Sequence, residues 1–217
     1  HSDTHSFPTR RSSDLDRVLT AENVSQVTLS GLTLTGGRAD GPTFWDRSGG
    51  ALMVSNSDVT LDTVHVLDNT ALAHGGGVQV LWGSLTAEDC VFQDNTAEKG
   101  GGGVDLRSEA VGQFLRCEFT DNQAAWGGGA SSRNGSQCAF TDSWFLDNAA
   151  TEPQEIGGAF FADYSAFITF NGSVLADNAA REGGAVRLAD ALATFASCTI
   201  VDNGATEDGG AMMVRGG

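Results

Sequence analysis

Apolar residues recur in this chain at alternate positions over short runs, and the runs themselves repeat. An Asp-Asn pair punctuates them, ending at Asn69, Asn95, Asn122, Asn148, Asn178 and Asn203. Three residues before each Asn stand Val66, Phe92, Phe119, Phe145, Leu175 and Ile200. Five before stand Val64, Cys90, Cys117, Ser143, Ser173 and Cys198, and eight before stand Leu61, Ala87, Phe114, Phe140, Phe170 and Phe195. Ten before stand Val59, Leu85, Gly112, Cys138, Ile168 and Ala193. Steps of two are the period of a strand, whose successive side chains point to opposite faces; a helix would show steps of three and four. A further short strand follows each Gly-Gly pair, as in Val78/Val80, Val104/Leu106, Val186/Leu188 and Met212/Val214.

The Gly-Gly pairs begin at Gly49, Gly75, Gly101, Gly127, Gly157, Gly183 and Gly209, a spacing of 26 residues with one step of 30. An earlier coil keeps the register through Val27, Leu29, Leu32 and Leu34, with Gly36-Gly37 in place of Asp-Asn. A fixed period in this range means stacked copies of one unit, each covering the apolar side of the next. Three short strands per coil of ~26 residues and about seven coils predict an all-β chain, a parallel β-helix. The hand preferred by parallel crossovers makes it right-handed. Asn tolerates a left-handed backbone and suits the corner; repeated in register, it can also bond the Asn above and below. Gly-Gly supplies positive φ or close backbone approach where the chain re-enters the sheet.

Composition narrows the partners. The net charge is −16 and Lys99 is the only lysine, which argues against nucleic acid or an anionic membrane surface. No run of about 18 apolar residues could cross a bilayer as a helix. Residues 1–15 stand outside the repeat; His5 to Leu15 matches one reading frame of a sequencing-library adapter. The expectation is an adapter-derived leader, 1–15, followed by one β-helix domain, 16–217, cut at both ends. The absence of an export signal then carries no weight, and a membrane would be met only through an anchor outside this chain.

Candidate chemistry lies in the corners and loops. Asp68, Asp94, Asp121, Asp147, Asp177 and Asp202 form a column in which stacked carboxylates would lie ~5 Å apart. Two readings stay open: a solvated acidic corner with no cofactor, or carboxylates and turn carbonyls holding calcium. Cys90 and Cys117 share a column in adjacent coils, as a disulfide or as stacked buried thiols. The loops between Asn and Gly-Gly vary, and stacking sets Trp45, His74 and Trp126 along one edge. Such loops are where binding residues concentrate on a rigid scaffold. The aromatics either meet a glycan or protein partner or fold back over the Gly-rich corner.

The segments Phe92 to Asn95 (FQDN), Phe119 to Asn122 (FTDN) and Phe145 to Asn148 (FLDN) alternate with Gly157 to Phe160 (GGAF) and Gly183 to Val186 (GGAV). This alternation resembles the repeats of the chlamydial-type polymorphic outer membrane proteins from Ser48 to Val214. The resemblance implies an exported bacterial passenger, extracellular or at the outer-membrane surface, with a role in adhesion. The expectation is a non-enzymatic stalk or adhesin-like segment, monomeric within a larger chain. The alternative is a non-catalytic part of a polysaccharide lyase or hydrolase with a pectin-lyase-like fold. Catalytic motifs of such enzymes are absent from the sequence, and Arg116 and Arg187 stand without an acid cluster beside them in sequence.

Overall fold

The alternating runs become strands because each buries one face against the coil above and below. In a computed structural model, residues 17–216 are described, apart from Pro153; the leader at 1–15 lies outside them. Four parallel sheets run through the described residues, eight strands in the one that follows the Gly-Gly pairs and seven in each of the others. One coil shows the plan: Val104–Arg107, Val111–Leu115, Glu118–Thr120 and Gln123–Ala124. The first three are the expected strands. The fourth has only two residues in most coils, at Thr70–Ala71 and Thr96–Ala97 for instance, and lies between the Asp-Asn corner and the next Gly-Gly pair.

The register matches the columns read from the sequence. Phe92 pairs with Phe119, and Phe119 with Phe145. Their rings stack face to face with centroids 4.7 and 4.4 Å apart. Phe114, Phe140, Phe170 and Phe195 make a second stack at 4.8, 4.9 and 5.1 Å. The two stacks meet edge to face, Phe114 on Phe119 at 5.5 Å and Phe119 on Phe140 at 5.7 Å. Each such ring removed from water stabilises the fold by about 1.5–3 kcal/mol, before the edge-to-face term is added. The earliest coil departs from the pattern at Leu32, which is 44 % exposed although its counterparts Val64, Cys90 and Cys117 are buried. It is in the outermost described coil of its sheet, which has a neighbour on one side only.

The corner differs from the expectation in one respect. The left-handed residue is the Asp, with φ between 53 and 57° at Asp68, Asp94, Asp121, Asp147, Asp177 and Asp202. The Asn turns inward instead. Asn69, Asn95, Asn122, Asn148, Asn178 and Asn203 form a ladder in which each Nδ2 donates to the Oδ1 of the next at 2.9–3.0 Å. The same Oδ1 accepts from the backbone N–H of the Asn before it, so the buried corner amides are satisfied. Gly37 opens the ladder by donating its N–H to Asn69 Oδ1 at 2.8 Å. A second ladder runs through the Cys/Ser column: Val64 N–H donates to Cys90 Sγ, Cys117 N–H to Ser143 Oγ and Ser143 N–H to Ser173 Oγ. Cys90 and Cys117 are both free thiols, and the neighbouring Cys90 thiol, together with burial, pushes Cys117 up.

In the Gly-Gly pairs the two glycines have separate jobs. The first takes positive φ, 62° at Gly101, and a Cβ on the second, Gly102, would collide with the carbonyl of Gly128 in the next coil.

Candidate ligand-binding face

The sheet that follows the Gly-Gly pairs is covered on both sides. Its inner face carries Val78, Val80, Val104 and Leu106, all buried. Its outer face carries Met53, Gln79, Asp105, Ser131, Phe161 and Arg187 in one column, also buried. The cover comes from the corner just before each Gly-Gly pair. There His74, Gly100, Trp126 and Ile156 stack through single parallel bridges. Gly100 has no side chain, so the rings of His74 and Trp126 close over it to 5.6 Å. A Cβ on Gly100 would lie 3.1 Å from the Trp126 ring and 3.2 Å from His74 Nδ1 and Ser131 Oγ. Phe44 packs on His74 at 5.7 Å and Trp126 reaches Phe161 at 6.3 Å.

Beneath these rings lies a network of charges. Asp105 is fully buried and accepts a short hydrogen bond from Ser131 Oγ, with Arg107 Nε 3.6 Å from its other oxygen. Arg133 grips Asp163 through two bonds of 2.7 and 2.6 Å. Its guanidinium lies 4.4 Å from the Trp126 ring centre and 5.5 Å from that of Tyr164, a cation held over aromatic faces. Arg187 reaches Glu182 at 3.2 Å. Burial raises the Asp163 carboxyl despite Arg133. Burial also lowers His74 to about 4; Asp105 opposes the shift, while Arg107, Arg133 and Lys99 reinforce it.

The three residues expected along the rim part company. His74 is 2 % exposed and packs between Phe44 and Trp126, so it is not a rim residue. Trp126 is half-buried over Arg133. Both fold back over the Gly-rich corner, one of the two arrangements left open by the sequence. Trp45 is 44 % exposed, on a 3-10 turn at Trp45–Arg47. Its loop is moored by Arg17, which donates to the carbonyls of Trp45 at 2.5 Å, Ser48 at 2.7 Å and Gly49 at 2.9 Å. Burial brings Arg17 down to about 10.

The loop carries Trp45 to the far margin of the sheet, where its ring meets Trp82 at 5.9 Å. Trp82 did not emerge from the sequence. It occupies the left-handed position that follows most strands of this sheet, filled elsewhere by Asn23, Asn56, Ser108, Asn134 and Asp190. Its φ is 49° and it is 53 % exposed; Tyr164 repeats the anomaly with φ 50°. Aligning the residue after each strand would have exposed both, since an aromatic breaks a column of small polar residues.

The Asp column lies elsewhere, on the outside of the Asp-Asn corner, with every member exposed. Burial and then the carboxylates of Asp94 and Asp147 raise Asp121. Among the described residues no three His, Cys, Asp or Glu side chains converge as a metal ion requires.

Parallel strands stacked in register, closed by an internal amide ladder, define a β-solenoid. Residues 22–217 match the model of the right-handed β-helix region family, and the chain belongs to that family. No curated protein and no solved structure matches it.

Proposed function

We propose that this chain is a non-enzymatic segment of an exported bacterial surface protein, a stiff stalk that presents a recognition face to a glycan or protein partner. The observation that carries the reading is the asymmetry of the four sheets. The outer positions of the sheet at Val111–Leu115 are largely solvated, whereas the outer column of the post-Gly-Gly sheet is buried beneath non-repeating loop and corner residues, which leave Trp45 and Trp82 exposed together at its margin. The Phe-x-x-Asn and Gly-Gly-Ala alternation supports placement among proteins like the chlamydial-type polymorphic outer membrane proteins. A net charge of −16 suits a rod standing in water. The carboxylates Asp105 and Asp163 are tied to Ser131, Arg107 and Arg133 under a cover of rings, which supports scaffolding and binding over chemistry on an incoming substrate.

The test is labelling of intact cells of the source organism with an antibody raised against this chain. Staining equal to that of permeabilised cells is expected. Staining only after permeabilisation would overturn surface display.

A further inference from the structure

We propose that the paired rings of Trp45 and Trp82 form a binding ridge for an uncharged glycan, with one sugar residue in the pocket on either side. The inference rests on the reading above in taking this part of the molecule as a recognition surface, and it narrows the partner to one class.

Two pockets flank the ridge. One, of about 220 Å³, has Trp45 as its wall and Thr20, Glu22, Met53 and Ser55 along the outer face of the sheet, with Asp46 at its margin. The other, of about 310 Å³, lies beside Trp82 and is lined by Asn23, Asn56, Ser57 and Asp58. Both are near the small end of ligand sites. The exposed indole faces offer a flat apolar surface, and the surrounding side chains are hydroxyls, amides and carboxylates. A sugar ring presents the complement, with a C–H face for the indole and hydroxyls that both donate and accept. Trp82, a bulky residue with φ of 49°, is held against its backbone preference, and such outliers gather at functional sites.

Charge selects among ligands. The two pockets contain three carboxylates, Glu22, Asp46 and Asp58, and one cation, Arg17. That guanidinium is already engaged with three backbone carbonyls and Thr20 Oγ1. An anionic sugar would face carboxylates with no free cation to meet it. Asp46 and Asp58 accept from Thr43 Oγ1 and Ser84 Oγ, both at 2.6 Å, which fixes them as oriented acceptors for hydroxyl groups. Two adjoining pockets across one ridge also fit a chain of repeating rings better than a single basic side chain.

The purified chain is titrated with cellohexaose, chitohexaose and mannohexaose, with hexagalacturonate and hexalysine as charged probes. Tryptophan fluorescence and saturation-transfer NMR report binding. At least one neutral oligosaccharide is expected to bind. Trp45→Ala and Trp82→Asn should each weaken it by about tenfold or more, as loss of an aromatic anchor does. Trp144→Ala, on another sheet, should leave it unchanged. Trp82→Asn restores the residue type found at equivalent turns, so circular dichroism should show an intact fold and lost affinity cannot be laid to unfolding. The proposal is overturned if no neutral oligosaccharide binds at millimolar concentration, if binding survives Trp82→Asn, or if hexagalacturonate or hexalysine binds the ridge in preference. Any of these would leave the surface reading intact, since antibody labelling decides that separately.

Discussion

The two faces of the post-Gly-Gly sheet are built from the same strands and follow opposite rules. Inward, Val78, Val104 and Val186 repeat one kind of residue coil after coil, with Ala130 and Phe160 adjusting for volume. Outward, Gln79, Asp105, Ser131, Phe161 and Arg187 change chemistry at every step. An inward side chain has its own column above and below it, so the period dictates what it can be. An outward one is covered by the corner and loop residues His74, Trp126 and Phe44, which do not repeat. Regularity marks the part of the chain that stacks, and its loss marks the part exposed to other demands.

The strongest blow to the inner face is Phe119→Ala. It removes a ring stacked on Phe92 and Phe145 and should cost about 3–5 kcal/mol in chemical denaturation. A loss below about 1 kcal/mol would mean that the column does not act as a packed core.

The outer face is probed next through His74. It stays neutral in the folded chain down to about pH 4, whereas the unfolded chain takes up the proton near its ordinary value of 6.5. The folded pKa is the lower one, so this contribution is complete above pH 6.5 and is lost as pH falls through 4. The expected loss is about 3 kcal/mol. Comparing denaturation midpoints of the parent and His74→Gln at neutral pH and pH 4 isolates it; equal slopes would show that His74 is not held neutral by burial.

Gly100→Ala tests whether the missing side chain lets the two rings meet. Its methyl group must push His74 or Trp126 aside, at about 1–2 kcal/mol, and should return the titration of His74, followed by NMR, toward 6.5. The gentlest change is Asp121→Asn. Asn tolerates the left-handed corner as Asp does, so the substitution keeps the turn while relieving both the burial of a charge and the repulsion from Asp94 and Asp147. The melting temperature should rise slightly at low salt, and the gain should shrink as salt is added. A fall instead, together with a rise of the parent's melting temperature on adding calcium chloride, would point to a bound cation at the Asp column.

The sequence carried the repeating part of the fold almost completely, because each column recurs six or seven times and a single exception cannot hide it. Phe92, Phe119 and Phe145 were legible for that reason, as was the Asn ladder; positive φ and close approach were read as alternatives for Gly-Gly, and the two glycines of each pair divide them. The fourth strand was not, since Thr70–Ala71 and Thr96–Ala97 are too short to show alternation. The left-handed turn was assigned to Asn when the Asp before it adopts it; both residues tolerate that conformation, and only the inward ladder separates them. Ser143 and Ser173 were placed in one column with Cys90 and Cys117, but alternation alone does not show that they accept backbone hydrogen bonds as the Asn side chains do. The candidate site was legible only at Trp45. Burial of His74 depends on the gap at Gly100 one coil away, and Trp82 meets Trp45 across 37 residues of sequence. Neither relation has a period.

Coiling each 26-residue unit into a single layer also stores length. Within the rod a unit advances the axis by only ~4.8 Å, the spacing of neighbouring strands. Drawn out, the same residues reach roughly 85–90 Å. A pull that peels away one terminal layer therefore lengthens the molecule nearly twentyfold over that layer's height, while the layers beneath keep their Asn amides engaged. Under tension a β-helix of this kind would act as a spool, releasing its length one turn at a time.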